Sequence, residues 1–98
     1  MIEVLILLDV TNLDDKEIFE KHIVREGFVV VPDEPFVYSG ESSTTTFATK
    51  AYILEVFKKG LGKTTFDECS LVFLLNETPY PPYIYDKTTQ DFELAPDE

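Results

Sequence analysis

Five apolar residues open the stretch "VLILLDVTN", residues 4 to 12, and run into Asp9 and then into small polar positions. Residues 3 to 9 form a short, almost unbroken run of leucine and β-branched residues, which predicts a central strand covered on both faces. The period then changes. In "NLDDKEIFEKHIVREG", Asp14 and Glu17 have the spacing of a capping box, Arg25 stands in the last turn, and Gly27 is placed to end a helix. Ile18, Phe19, Ile23 and Val24 supply its apolar face. "FVVV" from Phe28 restores the strand pattern until "PDEP" at 32 to 35 interrupts it, as a bulge before "FVYS" or as a hairpin with two short arms. Proline donates nothing to a ladder, so this segment belongs at a sheet edge or outside the sheet.

After a turn at "SGESS", the alternating, β-branched "TTTFAT" predicts another strand. From about Thr49 to Lys59, Ile53, Leu54, Phe57 and Leu61 follow helical spacing, with Gly60 as the stop. "SLVFLL" from Ser70 reads as a last buried strand. The order βαββαβ predicts an α+β fold, the ferredoxin-like sandwich, with two helices on one face of an antiparallel sheet. Right-handed crossovers set the first and last strands side by side at its centre, and these are the two most apolar segments. Residues 1 to 78 are read as this domain and residues 79 to 98 as a Pro/Tyr-rich C-terminal arm. "YIYDK" within the arm is a candidate extra strand. Its aromatic rings need a surface, either the edge of their own sheet or a partner subunit, with the partner preferred.

Composition narrows the function classes. A chain of 98 residues makes one domain with one core, and no apolar run approaches the roughly 20 residues of a membrane span. Glu3 stands where a signal peptide would carry basic residues, so the expected location is cytoplasmic. The "NET" sequon at Asn76 then carries no meaning. Cys69 is the single cysteine, which excludes an internal disulfide or a thiolate cluster and suggests a small core residue. Acidic residues number 19 against 8 basic ones, a net charge of −11. Such a surface repels a phosphate backbone, which disfavours direct nucleic-acid binding and suits a basic protein partner, mimicry of a nucleic acid, or solubility.

Few residues offer chemistry. "GLGKTT" at 60 to 65 resembles the end of a phosphate-binding loop, but Phe57 stands where the motif needs glycine, and the segment leaves a helix instead of entering one. Lys58, Lys59 and Lys63 remain the only basic cluster and hence the candidate anion site. His22, the sole histidine, falls between charged residues in the first helix and is expected to be partly exposed. "PYPPYIY" contains a PxxP spacing at Pro79 to Pro82. Asp9 is the candidate metal ligand, since a carboxylate at the end of a central strand can hold a divalent cation, with Asp14 and Asp15 close behind in sequence.

The "LLDVTN" strand end, the βαββαβ order, the length and the aromatic tail resemble the small CRISPR-associated adaptation nucleases and their VapD and GhoS toxin and antitoxin relatives. That resemblance implies a homodimer, with Asp9 holding Mg2+ at the subunit interface for endoribonuclease action and the C-terminal segment adding a strand to the partner. The basic residues those nucleases place around the aspartate are here Leu7, Leu8, Val10, Thr11 and Asn12. Two expectations result. One is a regulatory or interaction module, homodimeric and without a cofactor, that binds a protein partner in the manner of an antitoxin or a nucleic-acid mimic. The other is a Mg2+-dependent endoribonuclease using Asp9.

Overall fold

Alternation, not continuous burial, organises the first strand, β1 (Ile2–Val10), in the computed structural model, which describes residues 1–94. Val4, Ile6 and Leu8 are buried, while Leu5, Leu7 and Asp9 occupy the opposite, uncovered side. The expectation of burial on both faces is thereby corrected. Leucine on the outer positions hides a period of two, because an outer leucine and a core leucine read alike.

Helix α1 (Lys16–Arg25) starts one residue later than the capping-box spacing suggests. Asp15 is the N-cap, its carboxylate accepting from the Ile18 amide at 3.1 Å, while the Asp14 amide donates to the Thr65 carbonyl. Phe19 and Ile23 enter the core, but Ile18 and Val24 remain exposed. Gly27 takes a φ of 103° beyond the helix end, a conformation that suits glycine. Residues 32 to 35 then form a hairpin connection between β2 (Val29–Val30) and β3 (Val37–Ser42), in which Val30 pairs with Tyr38. "SGESS" is thus mostly strand and not a turn. Gly40 is tolerated within β3 because the Phe28 ring occupies the space of its missing side chain, where a Cβ would lie 3.0 Å from Cδ1.

The threonines read as a strand instead open helix α2 (Thr46–Leu61). Thr45 caps it by accepting from the Ala48 amide, and the Thr49 hydroxyl donates back to the Thr45 carbonyl at 2.8 Å. Capping chemistry overrides β-branched propensity here. Gly60 lies inside α2, and its role is packing: a Cβ there would meet the Phe19 ring at 3.1 Å and His22 at 3.2 Å. Gly62 is the actual C-cap.

Strand β4 (Cys69–Leu75) pairs antiparallel with β1 from Val4↔Leu75 to Val10↔Cys69. A two-residue turn at Asn76 and Glu77, both at positive φ, returns the chain along β4 as β5 (Thr78–Pro79). Asn76 is a structural residue, its Oδ1 accepting from the Glu3 amide. Prolines 81 and 82 interrupt the ladder before β6 (Tyr83–Asp86) rejoins β4 at Ser70↔Ile84 and pairs with β7 (Asp91–Leu94). Among the described residues the sheet order is β2-β3-β1-β4-β6-β7, with β5 also on β4. This is a ferredoxin-like α+β fold whose sheet is extended past β4 by C-terminal strands.

One core lies between helices and sheet. Phe57 meets the rings of Phe19, Phe28 and Tyr38 edge-on, with centroids 5.6 to 5.8 Å apart. A second aromatic group ties down the C-terminal segment, through Tyr80 and Tyr83 on Phe73 and Tyr85 on Phe66 and Phe92. Lys87 caps this group, its ammonium over the Phe66 ring and donating to the Phe66 carbonyl. The arm's rings therefore find their cover on the chain's own sheet.

Candidate interaction surface

Four rows of outer side chains, set by strand register, cross the centre of the sheet. Glu3 and Glu41 pair in the first row. The second runs Val29, Ser39, Leu5, Leu74, and the third Val37, Leu7, Val72. The fourth runs Asp9, Ser70, Ile84, Glu93. An apolar band two rows deep thus lies between acidic rows, and Glu77 at one end and Asp67 and Glu68 at the other add to the acid margins. Leu5 is 37 % exposed, Leu7 41 %, Val29 57 % and Ile84 44 %. These are large hydrophobic side chains gathered on one uncovered face, an arrangement monomeric surfaces usually avoid.

Charge is segregated as sharply as hydrophobicity. All eight Lys and Arg residues lie in the helices or in loops, and the described strands contain none. The ion pairs among the described residues join Lys16 to Glu20, Lys21 to Glu17, and Lys58 and Lys59 to Glu55, all along helices. Glu3, Glu41, Asp9 and Glu93 consequently keep uncompensated charge on the sheet face.

Asp9 is exposed at the far end of β1, in a depression shared with Thr11, Asp67, Glu68 and Ser70. Asp14 and Asp15 are not brought to it, being engaged at the start of α1. Among the described residues no group of three or more His, Cys, Asp or Glu side chains is placed to hold a metal ion. Lys58 and Lys59 both reach Glu55 at 3.5 Å, and Lys63 follows the end of α2. The amides of Gly62, Lys63 and Thr64 donate to the carbonyls of Lys58, Gly60 and Leu61, so the glycine-rich turn closes a helix. His22, expected to be partly exposed, is buried, and its Nε2 has no hydrogen-bond partner among the described residues. The physical reason is Gly60, whose bare backbone lets α2 settle over the imidazole.

Cys69 lies beneath the Asp9 end of the face. Burial, with the Asp9 charge as a lesser cause, pushes its thiol up to about 12. The unfolded thiol ionises near 8.5, so the folded state retains a proton that the unfolded state loses between those values. Stability from this group is whole below about pH 8.5 and declines as pH rises toward 12. Burial likewise raises the Tyr38 hydroxyl, which donates to Glu20. The expected result is a native thiol inert to a water-soluble disulfide reagent at pH 8 and fully reactive in denaturant, with urea midpoints falling from pH 9 upward. Rapid native labelling would contradict this placement of Cys69.

Comparison with protein-family models, curated proteins and solved structures gives no match for this chain. The open face must therefore be understood from its own geometry. Sequence reasoning singled out Asp9 at its margin but missed Leu5, Leu7, Val72 and Leu74. The available signal was the absence of Lys and Arg from the strand segments "IEVLILLDV" and "CSLVFLL", which marks a face whose charge is one-sided.

Proposed function

We propose that the protein is a non-enzymatic, cytoplasmic interaction module that binds a basic protein partner through the open face of its sheet. The observation that carries this reading is the uncovered apolar band bounded by acidic rows, which offers both contact area and a charge preference. No helix among the described residues is long and apolar enough to cross a membrane. A partner captured by the wild-type chain should be lost with Leu7→Ser, at unchanged circular dichroism and melting temperature. Retention of that partner by the folded variant would sink the proposal.

A second reading follows from the exposed strand-end position of Asp9, where a second copy could bring its own carboxylate. On this reading the resembling nucleases' Mg2+-dependent RNA cleavage would take place across a homodimer. The neighbouring Asp67 and Glu68 oppose it, because they repel an RNA backbone where the metal would need to hold it. RNA degradation with Mg2+ that Asp9→Asn abolishes at full stability would establish this reading in place of the first.

A further inference from the structure

Resting on the interaction reading, we infer that the occupant of the open face is a basic amphipathic helix, lying along the strands as a third layer over the sheet. Dimensions support it. Consecutive outer residues on a strand are about 6.7 Å apart, so the two acidic rows stand about 20 Å from each other. A helix rising 1.5 Å per residue covers that span in about 13 residues. Four apolar side chains at i, i+3, i+4 and i+7 would sit over Leu5, Leu7, Val72 and Leu74, with lysines or arginines beyond each end meeting Glu3 and Glu41 on one side and Asp9 on the other.

Charge argues against the alternative of a second copy. In aligned face-to-face stacking the strands of the two sheets stay within about 30° of each other, and acid bounds both ends of this band. Either strand direction then sets acidic row on acidic row, with no lysine or arginine in the described strands to relieve the repulsion. A strand added at a sheet edge is also poorly served. One edge, β2, is two residues long and stops before Pro32, and the other, β7, carries Asp91 and Glu93.

The test uses the full chain and three synthetic helical peptides of about 18 residues. The first has the leucine spacing given above and paired lysines at both ends; the second has the same composition with leucines distributed around the helix; the third has glutamates for lysines. Calorimetry should show the second and third binding at least about tenfold more weakly than the first, and Glu3→Lys with Glu41→Lys should weaken the first about tenfold. Amide shifts on adding the first peptide should centre on Leu5, Leu7, Val72 and Leu74. Equal binding of the first two peptides, or shifts centred on the helical side, would overturn the inference by reducing it to diffuse charge attraction. Should no peptide bind while a natural partner is still lost with Leu7→Ser, the helix falls and the interaction reading stands. A wild-type dimer that Leu7→Ser converts to monomer would assign the face to a second copy and overturn the inference outright.

Discussion

Phe57→Ala is expected to lower the melting temperature by roughly 12 to 40 °C. Phe57 is fully buried and meets the rings of Phe19, Phe28 and Tyr38, so its removal opens a cavity bounded by three aromatic side chains that are themselves held in place. Phe→Ala changes of this kind cost about 3 to 5 kcal/mol, and each kcal/mol moves the midpoint of a domain this size by about 4 to 8 °C. Total stability for such domains is only about 5 to 15 kcal/mol, so the variant should be partly unfolded at growth temperatures. Phe47→Ala provides the contrast. Phe47 lies in the first turn of the same helix but is 84 % exposed, and its replacement should change stability by no more than about 0.5 kcal/mol. Thermal melts of both variants decide the point, and a Phe57→Ala midpoint within a few degrees of wild type would refute the core assignment.

The βαββαβ order agrees with the structure although one of its strands was misplaced: "TTTFAT" opens α2, and the hairpin across residues 32 to 35 supplies β3 in its stead. Phe19, Ile23, Ile53 and Phe57 stand at helical spacing and are buried, and Gly27 ends its helix at positive φ. The errors came where one residue type serves two purposes. Thr45 and Thr49 are β-branched, which suggests a strand, yet their hydroxyls satisfy the backbone at the start of α2. Gly60 and Gly40 look like breaks, yet each stands within an element where an aromatic ring needs the room. His22 looked like a surface residue because its sequence neighbours are charged, whereas its burial depends on Gly60, 38 positions away in the chain. The open face was hidden for a related reason. Leu5 and Leu7 are indistinguishable in sequence from Ile6 and Leu8, and only the placement of both helices on one side makes them outer residues.

That distinction yields the second large expected effect. Ile6→Asp should prevent folding, since Ile6 is fully buried and a carboxylate there would lose its hydration with no cation to replace it, a penalty above about 4 kcal/mol. Leu7→Asp, one residue along the same strand, should leave the melting temperature within a few degrees of wild type. Its side chain reaches solvent beside Val37 and Val72, and neither of these cross-strand neighbours carries a charge to oppose it. Far-ultraviolet circular dichroism and thermal melts of the two variants make the comparison. An intact Leu7→Asp would mean that the fold does not require leucine at position 7, and the same reasoning extends to Leu5, Val72 and Leu74 on that face. Their apolar character, set between acidic rows, would then have to be explained by something that docks there. If Leu7→Asp instead unfolded the protein as Ile6→Asp does, the outer leucines would belong to the stability of the sheet, and the docking surface would lose the observation on which it rests.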